Sequence, residues 1–287
     1  MKRGARRGAV ARVGVVVLSF ERKDLTLACL RSLLATRLRD ARVLVVDNAS
    51  TDGAVEAVRA AFPSVEVVQN ARNLGFGGGM NVGARRHVEA GCDHVLLLNN
   101  DTAFPDADFL AKLVAALEAD PKVALAGPRV VSLETGRTVF GGPSKDRYGT
   151  LPLFGAAILA RGDWLRAHGL FDPAFFLYFE DRDLFRRVEA AGRSVHYVDD
   201  AVVAHSERSP SSGGHLSATK LHHWNRSFVL YARRHLTPAE AARALAADRL
   251  RVLPWQTKEI IRARDAAAWR GYWSGYVEGW KAARRVG

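Results

Sequence analysis

The stretch His94-Val95-Leu96-Leu97-Leu98-Asn99-Asn100-Asp101-Thr102 constrains this chain more than any other. Its apolar run has the length and composition of a buried strand, and it stops abruptly in two amides and an acid. In an open α/β sheet, ligands bind outside the carboxyl ends of the strands. A carboxylate at that place suits a hard divalent cation, and such a cation suits phosphates. The neighbours that such a strand tip needs should therefore lie at other strand ends.

Three apolar runs supply them. Residues 13–20 are β-branched and nearly continuous, which predicts a central strand buried on both faces. Residues 25–34 have helical spacing. A second strand over 43–46 ends in Asp47-Asn48-Ala49-Ser50-Thr51-Asp52-Gly53, and a helix over 54–62 leads to a third strand over 65–68. Residues 70–81 read as a glycine-rich loop that runs into a helix ending near Ala90. This alternation predicts a Rossmann-like parallel sheet with covering helices and right-handed crossovers. Ser19, Phe20, Asp47, Asn70 and Asn99 to Asp101 would then converge on one edge.

Beyond Asp101 the pattern predicts a helix over 109–118, a short strand over 123–126 and a loop-rich region over 129–149 with weak hairpin character. An apolar return to the sheet follows over 153–159, with short strands over 194–198 and 201–204 and a polar loop over 206–214. From Ser217 the character is helical. Thr237-Pro238-Ala239-Glu240 is a capping box with proline at the first helical position. The last helix carries Trp269, Tyr272, Trp273, Tyr276 and Trp280 as a stripe, with Gly271, Gly275 and Gly279 on an adjacent face. These features divide the chain into a basic arm (1–12), a catalytic domain (13–215, with halves 13–102 and 103–215) and a C-terminal helical region (216–287).

Composition narrows the class. A chain of 287 residues that is 48% hydrophobic and 25% charged is globular rather than disordered. Cys29 and Cys92, both assigned to helical segments, read as reduced core thiols. No run approaches the roughly 20 apolar residues of a spanning helix, and no signal peptide is apparent. The expected location is the cytoplasm, with peripheral contact at the inner membrane face as an extension. The net charge of +12 admits nucleic acid, an anionic membrane or anionic small substrates.

Several motifs carry chemistry. Asp47 begins a polar turn at a strand tip, where a carboxylate can accept from a base or ribose or can cap the next helix. Asn73-Leu74-Gly75-Phe76-Gly77-Gly78-Gly79-Met80-Asn81 matches neither GxGxxG nor a P-loop. It reads as backbone that can approach a ligand at a helix N-terminus, or as a plain turn. Asn99-Asn100-Asp101 offers one acid that can hold a metal, or that can cap a helix or close a turn. Phe179-Glu180-Asp181-Arg182-Asp183-Leu184 follows the aromatics Phe171, Phe175, Phe176 and Tyr178 and opens a helix. Its acids suit the helix dipole, and one of them could serve as a general base in an aromatic cleft. His205 follows a short apolar strand and could be structural or a metal ligand.

Together, Val45 to Gly53, Asn73 to Gly77, Leu98 to Thr102, Phe171-Asp172 and Glu180 to Leu184 resemble the family 2 glycosyltransferases, in the rhamnosyltransferase-like branch, over about residues 13–236. The resemblance implies an α/β GT-A fold with a C-terminal helical extension. It implies inverting, Mg2+- or Mn2+-dependent transfer from a dTDP-, UDP- or GDP-linked sugar, with rhamnose as one option. The acceptor would be a glycan or a polyprenyl-diphosphate-linked glycan of the cell envelope. Asp181, with Glu180 beside it, matches the family's base; Asp101 and His205 match metal ligands. The nucleotide pocket would be lined by Ser19, Glu21, Asp47, Asn48, Asn73, Gly75, Gly77, Asn81, Asn99 and Asn100. The chain departs from the family's DxD pattern by having Asn99 in first place. A nucleic-acid partner is not implied, and a homodimer is admitted; the C-terminal stripe can pack on the catalytic domain or a second subunit, which the glycine face favours, or rest on a membrane with Arg262, Arg264, Arg270, Lys281, Arg284 and Arg285. The rival readings are a nucleotidyltransferase, an inactive sugar-nucleotide-binding or partner subunit and a basic nucleic-acid-binding protein.

Overall fold

The computed structural model describes residues 11–38, 40–140, 142, 153, 155–206, 217–247, 250 and 266–284. Most of the basic arm, the loop after Ser206, and Arg262, Arg264 and Arg285 lie outside the described residues. The first half follows the predicted alternation: β1 (Val13–Ser19), α1 (Lys23–Leu34), β2 (Arg42–Asp47), α2 (Ala54–Ala61), β3 (Glu66–Gln69), α3 (Gly75–Glu89) and β4 (His94–Asn99). Then come β5 (Thr102–Ala103), α4 (Phe109–Ala119), β6 (Val123–Ser132), β7 (Thr138–Phe140), β8 (Ala157–Arg161), α5 (Gly162–His168), α6 (Glu180–Ala190) and β9 (Ser194–His205). Three helices close the described chain: α7 (Ala218–His235), α8 (Pro238–Ala247) and α9 (Ala266–Arg284).

Among the described residues the strands form one mixed sheet in the order β3-β2-β1-β4-β8-β6-β9-β5, with β7 paired to β6. β3, β2, β1 and β4 run parallel, whereas β8 is antiparallel to β4 and to β6, and β6 and β9 are parallel. Seven consecutive buried residues in β1 fit its central place between β2 and β4. One core cluster packs α1, α2 and α4 on one face of the sheet, and another packs α3, α5 and α6 on the other.

The second half departs from expectation in three places. The short strand at 123–126 is a ten-residue strand, and it forms a hairpin with β7 inside the region read as loop. The two short strands after Ser194 are one strand, β9, whose register against β6 jumps from Val198 to Val202. Asp199 and Asp200 fall in that jump and gave the sequence its apparent break. Helix α5 was not anticipated. Cys92 lies after α3 rather than within a helix, although both thiols are free and buried as expected.

The glycine-rich motif also differs. Gly75 to Gly79 lie in α3, and the glycines serve packing. A Cβ on Gly83 would lie 2.5 Å from Val16 Cγ1, and one on Gly77 would lie 3.0 Å from Phe171 Cβ. Close seating of α3 on β1 and β2 therefore requires residues without side chains. Alanine in a helix interior normally gains up to about 1 kcal/mol over glycine, whereas overpacking costs about 1–3 kcal/mol. Gly83→Ala should accordingly lower the urea midpoint of unfolding. A midpoint that stays level or rises would show that α3 can lift off the sheet at no cost.

Candidate active site

Parallel pairing puts the strand tips in register: Ser19 lies beside Asp47, Leu18 beside Asn99 and Asp47 beside Gln69. The predicted convergence on one edge is thus observed. Two turns latch across it. The Glu21 amide donates to Ser50 Oγ (2.7 Å), the Lys23 amide to Asp52 Oδ2 (2.6 Å), and Thr51 donates from its amide and hydroxyl to Glu21 Oε1 (both 3.1 Å). Asp47 is 1% exposed and accepts from the Ser50 amide (2.8 Å) and hydroxyl (2.5 Å). A carboxylate has about four acceptor sites, so it keeps capacity for a ligand N–H.

The amides divide between the tips and the scaffold. Asn48 donates to the Gly75 carbonyl (2.9 Å) and accepts from Asn70 (2.8 Å), joining the β2 turn to α3. Asn73 accepts from the Gly75 amide (2.8 Å). Asn81 both donates to the Phe171 carbonyl (2.8 Å) and accepts from its amide (3.0 Å), so it pins the aromatic segment. Asn100 donates to Thr26 Oγ1 (2.9 Å), which lies 3.1 Å from Ser19 Oγ. Thr26, a residue that no motif singled out, therefore couples the tips of β1 and β4. Asn99 Oδ1 is buried without a hydrogen-bond partner among the described residues.

Two strand residues make the central contact. Thr102 and Ala103 pair with His205 and Ala204, and the Ser206 amide donates to the Asp101 carbonyl (3.1 Å). Asp101 Oδ1 then lies 3.1 Å from His205 Nε2, with both residues buried. Burial pushes the Cys29 thiol up to about 12; its hydrogen bond to Thr102 opposes this and the nearby Asp101 carboxylate adds to it. An acid oxygen and an imidazole nitrogen at this separation are compatible donors for one divalent cation. Among the described residues no third His, Cys, Asp or Glu joins them. Magnesium and manganese sites commonly complete their shell with waters and substrate phosphates, so the donor set fits.

Helix α6 brings the second pair of acids. Tyr178 (φ 67°) and Phe179 (φ 65°) both hold left-handed backbone immediately before it. For bulky residues this is strained conformation, of order 1–3 kcal/mol each. Phe179 is held by Trp224, Phe228 and Tyr231 at ring-centroid distances of 5.1, 5.7 and 5.5 Å. The remaining non-glycine residues with positive φ among those described are Glu21, Arg22 and Ala49, at the β1 and β2 tips. Strained backbone is thus confined to the edge where the polar residues meet.

Asp181 faces Gly155: a Cβ there would lie 3.4 Å from Asp181 Oδ2. The next residue, Ala156, accepts from the Asn99 amide (3.0 Å). One residue therefore separates the α6 acid from the segment bonded to the β4 tip. Glu180 is buried, and its Oε2 has no hydrogen-bond partner among the described residues. Burial, with the Asp181 charge adding to it, pushes the Glu180 carboxyl well above its ordinary range. Asp183 points the other way, into the scaffold. Its burial is outweighed by hydrogen bonds from His235 and Arg187 (each 2.8 Å), which lower its pKa.

The model for "Glycosyl transferase family 2" matches residues 14–169, more than half of the chain. The chain belongs to that family. This family 2 glycosyltransferase is 28% identical, over 253 aligned positions covering 72% of it and 79% of the relative, to the N-acetylglucosaminyl-diphospho-decaprenol L-rhamnosyltransferase of Mycobacterium tuberculosis H37Rv. Its fold is similar to that of the mannosyltransferase PcManGT from Pyrobaculum calidifontis, solved with GDP-Man and Mn2+ (TM-score 0.61, 19% identity, 97% of this chain and 87% of that one). It is also similar to S. aureus TarS 1-349 solved with UDP-GlcNAc (TM-score 0.63, 18% identity, 95% and 81%). The architecture is the GT-A fold with C-terminal helices, as the sequence motifs implied.

The Glu180 environment has a measurable consequence. A carboxyl whose folded pKa is raised keeps its full stability below the unfolded value of 4.5 and loses it as pH rises toward the folded one. Glu180→Gln cannot ionise. Its urea midpoint relative to wild type should therefore be higher at pH 8 than at pH 4. A constant difference at the two pH values would show that Glu180 ionises in the folded protein as it does in the unfolded chain.

Proposed function

We propose that this glycosyltransferase moves a sugar, L-rhamnose being the first candidate, from a nucleoside-diphosphate donor to a hydroxyl of a polyprenyl-diphosphate-linked glycan, with inversion at the anomeric carbon. The observation that carries this reading is the pairing of Asp101 with His205 at the same sheet edge that Asp181 approaches through Gly155 and Ala156. Similarity to a rhamnosyltransferase acting on N-acetylglucosaminyl-diphospho-decaprenol supports the choice of sugar and acceptor.

The residues divide the work as follows. Asp47 accepts from the donor's base, with the latched turns carrying Ser19, Glu21 and Asn48 beneath it. Asn99 and Asn100 border the diphosphate, as does the α3 N-terminus with Asn73, Gly75 and Gly77. Asp101 and His205 would hold a Mg2+ or Mn2+ ion, which would supply positive charge to offset that of the leaving diphosphate. The Asp181 carboxylate takes the proton from the acceptor hydroxyl as its oxygen bonds to the anomeric carbon. The bond from that carbon to the diphosphate oxygen breaks, and the electron pair leaves with the nucleoside diphosphate. A single displacement inverts the centre and needs no covalent enzyme intermediate. Burial of Glu180 raises its pKa and so disfavours a second negative charge beside Asp181.

Loss of a general base typically costs about 10²–10⁴-fold in rate. Asp181→Asn should lose that much turnover while binding the nucleotide sugar as tightly as wild type by calorimetry, and NMR of the wild-type product should show the inverted anomer. Loss of donor binding in a folded variant, or a retained anomeric configuration, would contradict these roles.

A further inference from the structure

Helix α9 divides its surface in two. Its small side carries Gly271, Gly275 and Gly279, where a Cβ would strike the backbone of α7 at Ala218, His222 and Arg226. Tyr272 and Tyr276 are buried beside them, and Asn225 donates to the Tyr272 carbonyl (3.0 Å). The aromatic stripe expected from sequence is therefore split. Two of its tyrosines pack inward, while Trp273 (53% exposed) and Trp280 (44%) face solvent with Val277 (53%) between them.

These three occupy positions i, i+4 and i+7, a single ridge along the helix. Arg270, Lys281 and Arg284 are exposed on the same side. Arg233 of α7 lies over the Trp280 ring, 5.6 Å from its centroid. The helix's single acid, Glu278, is met by His222 at 3.6 Å. Among the described residues no helix is long and apolar enough to cross a membrane.

We infer that α9 docks the protein on an anionic lipid bilayer, with Trp273, Val277 and Trp280 entering the interface and Arg270, Lys281 and Arg284 meeting the headgroups. Tryptophan is favoured at the membrane–water interface, where its apolar ring and polar N–H are both accommodated. A helix with aromatics on one line and cations beside it lies in the interface plane. Charge selects this occupant over a second copy of the chain. A copy would bring a like-charged ridge against this one, on a molecule of net charge +12. Shape selects it over a peptide, because peptide helices bind in grooves and a single convex helix offers none.

The contact is mechanically tied to the acids of α6. Helix α9 packs on α7, and Trp224 of α7 packs on Tyr178 and Phe179 (5.3 and 5.1 Å), directly before Glu180. Docking is independent of which sugar or donor the enzyme uses, so it can be tested without either.

The test is co-sedimentation of the full chain with vesicles of phosphatidylcholine alone and of phosphatidylcholine mixed with phosphatidylglycerol. Wild type should bind the mixed vesicles, release with salt and bind the neutral vesicles weakly. Trp273→Ala/Trp280→Ala and Arg270→Glu/Lys281→Glu should each reduce partitioning about tenfold or more, with unchanged circular dichroism and unchanged calorimetric donor affinity. Wild type that ignores anionic vesicles, or double variants that bind as wild type does, would overturn the proposal. A dimer in sedimentation velocity that Trp273→Ala/Trp280→Ala dissociates would also overturn it and give the ridge to a second copy.

Discussion

Strand β5 has only two residues, yet its pairing with β9 holds a carboxylate and an imidazole from distant parts of the chain 3.1 Å apart in a buried setting. Burying an unpaired carboxylate costs several kcal/mol, and breaking such a pair leaves that cost uncompensated. The architecture around the pair removes the alternatives. Strand β9 stays paired with β6 through His205 while its other side takes β5, and the Ser206 amide fixes the chain after His205 on the Asp101 carbonyl. Asp101 itself follows a strand whose Val95 to Leu98 are fully buried. Its position therefore inherits the rigidity of β4.

Strain is the second part of the design. Among the described residues, five non-glycine residues with positive φ lie at the β1 and β2 tips and before α6, and packing or hydrogen bonds surround each group. Glu21 is latched to Ser50 and Thr51, while Phe179 is walled by three aromatic rings from α7. The Asp183, Arg187 and His235 cluster anchors α6 on α7 behind them. The helical extension thus supports the geometry of Glu180 and Asp181. Deeper in the extension, the α7–α9 pair relies on glycines, which bring backbones close enough for Asn225 to reach across.

The parallel half of the fold was legible because each strand is a continuous apolar run and each helix has a clear period. The strand tips followed from that topology alone. The second half was less legible for identifiable reasons. Gly127 and Pro128 masked the length of β6, and the Asp199-Asp200 irregularity masked the unity of β9. Two-residue β5 has no sequence signal, so the meeting of Asp101 and His205 was available only through family resemblance. Tyr178 and Phe179 look like core aromatics, and nothing in their identity signals left-handed backbone. The glycines of α3 carry a packing role that the motif does not announce: Gly79 and Gly83 let the helix sit close to the sheet, and Gly75 and Gly77 let the Phe171–Phe176 segment approach it.

Asp101 and His205 are proposed to form one divalent-cation site completed by the nucleotide. Electron paramagnetic resonance of Mn2+ tests this most directly, by titrating free ion against protein with and without a nucleoside diphosphate. The account predicts weak binding by protein alone and tighter binding with dTDP, UDP or GDP, lost in both Asp101→Asn and His205→Ala. Mn2+ binding that is unaffected by these substitutions, or by the nucleotide, would contradict it.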